Sequence, residues 1–168
     1  MPGLVRVYRD LFSRKQVKRP LFLVGKQNHN IADGFDCDIK AGIREGALVE
    51  KGYVTDGELL QLMRGATALI YPSQYEGFGL PLLEAMSVGC PVITCDASSM
   101  PEVCGDAAIY VRPGTEDELA AAIKQIESSA DLRNALRKRG FAQAGKFSWE
   151  RSARSYLAVL NKALGKKD

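Results

Sequence analysis

The chain reads as an α/β fold, a parallel sheet covered by helices on both faces, and three observations say so. Three short continuous apolar runs, Leu21–Val24, 68–71 and Ala108–Val111, and the short β-branched run 92–94 have the look of strands of a parallel sheet, the first of them buried on both faces. The segments between them place apolar residues at helical spacing instead. The two patterns alternate along the chain, and neither a repeat nor a low-complexity linker splits it.

Composition narrows the class of protein. With 46% apolar and 26% charged residues over 168 positions, the chain can build one domain with a real core. A net charge of +3 with no aromatic-rich basic segment gives no case for nucleic acid. Cys37, Cys90, Cys95 and Cys104 form no C-x-x-C pair and have one histidine, His29, for company, so buried reduced thiols are expected rather than a zinc site. No apolar run approaches the roughly 20 residues of a membrane span, and the start lacks a signal-peptide core. A cytoplasmic location is expected.

Taken in order, residues 4–15 form a helix through Leu4, Val7, Tyr8 and Leu11. A basic run follows its face: Arg6, Arg9, Arg14, Lys15, Lys18 and Arg19 against Asp10 alone. A solvated helix face explains that run, with an anionic membrane surface or another partner as the alternative. Leu21–Val24 is a strand closed by Gly25. Ligands of open parallel sheets gather beyond the carboxyl ends of strands, which places residues 25–30 near whatever the later glycine loop holds. His29 in that stretch receives no catalytic role. Asp36-Cys37-Asp38 mimics a D-x-D metal motif, but it opens a helix running toward Leu48 and no strand end aims it, so no metal is assigned.

Residues 49–54 suit a short strand. Thr55 and Glu58 form a capping box, Thr-x-x-Glu, that starts a helix with Leu59, Leu62, Met63 and Ala66 on one face. After the central glycine loop and helix, Gly89-Cys90-Pro91 ends a turn before the strand at 92–94, whose exit at 96–101 reads as loop. Past Ala108–Val111, Pro113-Gly114 turns into a second capping box, Thr115 to Glu118, and a helix with Leu119, Ala122, Ile123 and Ile126 inward. Further helices start near Ala130 and at Ser148, the last with a stripe of Ala153, Tyr156, Leu157, Leu160 and Leu164. Lys166, Lys167 and Asp168 form a tail expected to fray.

The densest chemistry lies at residues 71–84, Tyr-Pro-Ser-Gln-Tyr-Glu-Gly-Phe-Gly-Leu-Pro-Leu-Leu-Glu. A strand ends at Pro72 and a helix begins near Leu80, with Pro81 suited to its first turn. Gly77 and Gly79 let a ligand approach the backbone, and the helix start turns unpaired N–H groups and a partial positive charge into the loop. Such a place attracts phosphate. Glu76 and Glu84 flank it with carboxylates, which accept hydrogen bonds from hydroxyls, so a nucleoside diphosphate sugar suits the arrangement.

This stretch resembles the Glu, seven residues, Glu signature of the group 1 retaining glycosyltransferases, two-domain enzymes of the GT-B fold. The likeness runs through Glu58-Leu59, Tyr71-Pro72-Ser73, Glu76-Gly77-Phe78-Gly79-Leu80-Pro81, Glu84-Ala85-Met86, Gly89, Pro91-Val92-Ile93, Pro101-Glu102-Val103 and Phe147-Ser148-Trp149-Glu150. It implies a Rossmann-like sheet, the C-terminal, donor-binding half of a GT-B enzyme. By the same resemblance Glu76 is the catalytic-site residue that contacts the donor sugar's hydroxyls. Phe78, Gly79 and Leu80, with Gly77, would offer backbone N–H groups to sugar and phosphate, and Glu84 would hold the ribose diol. The loop of Gly52 and Tyr53 would meet the base, and Gly25 would line the donor site. The resemblance implies no cofactor and no metal ion beyond the donor itself. The family's N-terminal acceptor domain is absent from these residues, and so is the first strand of this half, with its Gly-Arg and Lys-Gly segment. Residues 1–168 are therefore expected to form a donor domain lacking that strand and inactive alone.

Other readings remain open on the residues. Gly77-Phe78-Gly79 followed by Asp96 at the end of the next strand imitates a dinucleotide-binding site of an oxidoreductase. Against it, Leu82 replaces the third glycine, and Glu76 would repel a pyrophosphate placed as that motif places it. A nucleotide-sugar epimerase of the same fold and a non-catalytic nucleotide-binding or interaction module are the further alternatives.

Overall fold

The computed structural model describes residues 2–25 and 33–165. Leu4, Val5, Val7, Tyr8 and Leu11 make the first helix amphipathic, and all five are buried in α1 (Pro2–Ser13). Burial of each such side chain is worth about 1.5–3 kcal/mol, so α1 is held by packing. Val5 joins one apolar cluster with Leu23, Phe35, Ile39 and Leu48, while Leu4, Val7, Tyr8 and Leu11 join the larger one. The helix thus bridges two halves of the molecule.

The first half is β1 (Leu21–Val24), α2 (Asp33–Arg44) and β2 (Leu48–Gly52), with the strands parallel and Leu21 opposite Leu48. The second is β3 (Leu69–Tyr71), α4 (Leu80–Ser87), β4 (Val92–Cys95), α5 (Met100–Cys104) and β5 (Ala108–Val111), a parallel sheet in the order β3-β4-β5. Between the halves runs α3 (Asp56–Gly65), and the chain closes with α6 (Glu116–Ser128), α7 (Ala130–Ala144) and α8 (Trp149–Ala163). α1 packs on α2 and α6, and α4 packs on α3, α5 and α7. With helices on both sides, β4 is buried along its whole length. The α/β architecture with parallel strands and flanking helices is the one the sequence predicts.

Several local expectations change. β1 is not buried on both faces: Phe22 is 44% exposed, because alternate residues face opposite sides of the sheet and the cluster of Val5, Phe35 and Ile39 packs with Leu23. Asp36 lies inside α2 rather than opening it, and Asp38 is bound to the Arg9 guanidinium at 2.7 Å, so the D-x-D resemblance ends in an ion pair. The residues after β4 turn helical at Met100. Cys90, Cys95 and Cys104 are buried free thiols, as expected, but Cys37 is exposed. The stripe on α8 has no buried residue: Tyr156, Leu157, Leu160 and Leu164 are all exposed.

The two Thr-x-x-Glu segments diverge. At Thr55 both reciprocal bonds of a capping box form. Thr115 makes no side-chain cap, because Glu118 instead receives the backbone N–H and guanidinium of Arg112, which hold its carboxyl below the usual range. The basic run is largely consumed inside the molecule: Arg6 pairs with Glu116, Arg9 with Asp38 and Glu45, Arg14 with Asp10 and Arg19 with Glu127. The expectations for residues 166–168 and for most of the 25–30 loop, His29 included, fall outside the described residues.

Candidate functional site

The β3–α4 loop carries the site. β3 delivers the chain to Pro72, and its neighbour β4 fixes the exit by donating the Thr94 hydroxyl to the Tyr71 carbonyl at 2.9 Å. α4 starts at Leu80 because Gly79, its N-cap, takes a left-handed backbone (φ 92°, ψ 46°) and Pro81 follows in the first turn. Gly79 has no side chain to cap the helix, so the helix N-terminus is open. Among the described residues, no backbone N–H of Gly77, Phe78, Gly79 or Leu80 donates a hydrogen bond. Four consecutive donors near the positive end of a helix dipole thus lack a partner among the described residues, with Gly77, Phe78 and Leu80 exposed and Gly79 buried.

Glu76 stands at the entrance to this cradle. Its Oε1 accepts from the Tyr71 hydroxyl at 2.8 Å and the Ser73 hydroxyl at 2.9 Å, which orients the carboxylate and leaves Oε2 without a partner among the described residues. Burial, and then the bond to Glu76, pushes Tyr71 up to about 12, so it remains a donor at neutral pH. Glu84, one turn into α4, is exposed; its carbonyl accepts from the Ser87 hydroxyl at 2.7 Å, and its carboxylate has no hydrogen bond or ion pair among the described residues. Phe78 is held from the other side by an edge-to-face contact with Phe147, ring centroids 5.9 Å apart. Phe147, far along the chain, therefore returns to the loop.

Of the residues the sequence points to, Glu76, Gly77, Phe78, Gly79, Leu80 and Glu84 come together on this loop and helix. Gly25 and Tyr53 sit at the carboxyl ends of β1 and β2 in the other sheet, Tyr53 83% exposed, and no hydrogen bond joins either to the β3–α4 loop. Sequence reading missed Ser98 and Ser99, whose hydroxyls bond the backbone of Glu76 and Phe78. No local pattern signals a contact across 22 residues of chain. Among the described residues no group of His, Cys, Asp and Glu side chains is arranged to hold a metal ion, and no helix is long and apolar enough to cross a membrane.

A doubly layered parallel α/β domain with an uncapped helix start and flanking carboxylates defines a class, the nucleotide-handling α/β domains. Comparison with known proteins narrows it. The family model described as Glycosyl transferases group 1 matches residues 3–143, and the chain belongs to that family. It is 40% identical over 153 residues to the O-antigen chain mannosyltransferase B of Escherichia coli, covering 88% of this chain and 39% of that protein. It is 37% identical over 118 residues to the MMP alpha-(1->4)-mannosyltransferase of Mycolicibacterium hassiacum, covering 67% of this chain and 28% of that protein. The chain therefore spans well under half the length of both. The same fold occurs in Anabaena HepE, solved in complex with UDP and glucose, with a TM-score of 0.78, 22% identity and coverage of 94% of this chain and 44% of that one. The fold is that of the GT-B glycosyltransferases.

Proposed function

We propose that these residues form the donor-binding domain of an enzyme that transfers a hexosyl group, mannosyl by the names of its relatives, from a nucleoside diphosphate sugar to an acceptor with retention at the anomeric carbon. The observation that carries the reading is the row of four N–H groups at the start of α4, unpaired among the described residues, with a carboxylate on either side that keeps an acceptor oxygen unbonded among the same residues. In this reading the diphosphate lies on the N–H groups of Gly77, Phe78, Gly79 and Leu80. The sugar's hydroxyls reach Oε2 of Glu76, and the ribose diol reaches Glu84. Gly25 and Tyr53 line the base side. Negative charge growing on the departing diphosphate is stabilised by the helix dipole, and no step of the reading requires a metal ion. The coupling of this donor half to an acceptor domain, and the inactivity of the donor half alone, belong to the same proposal. A turnover assay that detects transfer by residues 1–168 alone sinks that part.

The same proposal places one more parallel strand between β1 and β3. α1 enters β1 on the same side as α2 leaves it, and right-handed crossovers then put the strand preceding α1 on the free edge of β1. That is the switch point of a 3-2-1-4-5-6 sheet. β1 and β3 contain no charged or proline residue to guard those edges, whereas the outer strand β2 carries Glu50 and Lys51. Leu69, Ile70 and Tyr71 are also only half-buried, against full burial throughout β4.

The test is a titration of the chain with UDP, GDP, ADP and NAD followed by backbone amide shifts. Saturable shifts at residues 77–80 with one or more nucleoside diphosphates support the reading. Shifts with NAD alone move it to a dinucleotide site, and silence with all four refutes donor binding by this chain.

A further inference from the structure

We propose that Ser98 and Ser99, on the loop leaving β4, are positioning residues that set the direction of the Gly77 and Gly79 N–H groups; the inference rests on the donor-site reading above for what those groups bind. Ser98 Oγ donates to the Glu76 carbonyl at 2.7 Å and accepts from the Glu76 N–H at 3.4 Å. Ser99 Oγ lies 3.0 Å from the Glu76 carbonyl and 3.1 Å from the Phe78 carbonyl, and its proton is shared between them. Two adjacent hydroxyls thus hold two alternate carbonyls of the loop.

The consequence follows from peptide planarity. The carbonyl of Glu76 and the N–H of Gly77 belong to one flat trans unit and point in opposite directions, as do the carbonyl of Phe78 and the N–H of Gly79. Drawing both carbonyls toward the β4–α5 loop turns both N–H groups the other way, away from that loop. Without those bonds each unit could rotate through its flanking dihedrals, and glycines at 77 and 79 resist rotation least. The latch therefore supplies the order that the glycines forgo, the usual condition for a preorganised anion site.

Two independent features show that local structure is sacrificed to make the latch. Ser98 has φ of +52°, a left-handed backbone rare for a residue other than glycine, asparagine or aspartate. Ser99 is the N-cap of α5 and of a residue type that favours capping, yet its hydroxyl caps nothing there. Both departures occur at the two residues that bond the loop. Thr94, which ties β4 to Tyr71, brings the two loops side by side and makes the contact possible.

The test uses the chain itself with Ser98→Ala/Ser99→Ala, Ser99→Ala and Ser99→Thr, the last keeping a hydroxyl at an ordinary helical φ of −79°. Without ligand, backbone 15N relaxation should show order falling at Gly77, Phe78 and Gly79 in both alanine variants and recovering in Ser99→Thr, with α4 and β4 unchanged. With UDP and GDP as probes, affinity should fall about tenfold in the double variant and recover in Ser99→Thr. If the double variant does not fold, Ser99→Ala carries the measurement. Unchanged order at Gly77 and Gly79 in the alanine variants overturns the latch, as does an equal loss in Ser99→Thr. A purely structural role would lower the melting temperature with no selective change at these amides, and that result also overturns it. If the parent binds neither nucleotide, the donor reading fails while the ligand-free relaxation still decides the latch.

Discussion

The two glycines of the loop do different work, and alanine separates them. At Gly79 the backbone has φ of 92°, and a built Cβ would lie 3.0 Å from Leu82 Cδ1. Left-handed backbone costs an L-residue about 1–2 kcal/mol. Leu82 is fully buried and has little room to withdraw, so the contact adds strain of about 1 kcal/mol. The restricted unfolded chain returns about 0.4–1 kcal/mol, leaving Gly79→Ala destabilised by about 1–3 kcal/mol. Gly77 has no left-handed φ and no heavy atom within 4 Å of a built Cβ, so Gly77→Ala should change stability by less than about 0.5 kcal/mol or stabilise slightly. Its methyl group would nevertheless stand where a diphosphate must approach, and binding of UDP or GDP should weaken. Urea denaturation of both variants, with amide-shift titration of Gly77→Ala, checks this. Equal stability of the two variants would refute the loop geometry. Full affinity in Gly77→Ala would refute the approach of the ligand to that face.

Three more outcomes follow from particular contacts. Glu84→Ala should leave stability within about 0.5 kcal/mol of the parent, since the carboxylate has no partner among the described residues, yet lose about tenfold or more in nucleotide affinity as charge-assisted bonds of about 1.5–3 kcal/mol disappear. Parent-like affinity would remove Glu84 from the site. Thr55→Ala should cost about 1 kcal/mol in urea denaturation and Thr115→Ala much less, because only the first forms a side-chain cap. Burial holds the Cys90 and Cys104 thiols up to about 11, so the unfolded chain releases their protons first. The stability they contribute is intact below the unfolded pKa, near 8.5. It is lost as pH rises toward 11, by up to about 1.4 kcal/mol per pH unit for each thiol. Denaturation midpoints measured from pH 8 to 10 should fall, and should fall less in Cys104→Ala.

How much of this was legible depended on whether the deciding contact was local. α6 announced its buried face through Leu119, Ala122, Ile123 and Ile126, because helical periodicity is set within a few turns and all four are buried. The placement of Glu76 through Leu80 between a strand end and a helix start was legible for the same reason, since those elements are neighbours in sequence. The Thr55 and Thr115 segments share one pattern and differ only in what else Glu118 can reach, and the partner, Arg112, lies across the Pro113-Gly114 turn. β1 and α8 failed differently. Each has the apolar pattern of a covered element, but pattern states what a residue would bury, and cover requires a neighbour. Phe22 is 44% exposed although β2 pairs beside it, and Leu157 and Leu160 stand exposed on α8.

The site divides along the same line. Its donors are backbone groups, whose availability follows from a sequence that denies them caps: glycine at 79 in place of serine or aspartate, and proline at 81. Their direction is set elsewhere, by the hydroxyls of Ser98 and Ser99 and by the ring of Phe147 against Phe78. The carboxylate of Glu76 is likewise aimed by Tyr71 and Ser73 rather than by its own loop. Composition of the loop therefore determines what it can bind, while the surrounding strand ends determine whether those groups point at one ligand. A variant series confined to residues 76–84 would sample only the first of these. Substitutions at Tyr71, Ser73, Ser98 and Ser99 sample the second, and in this geometry they should change affinity without touching any atom of the ligand.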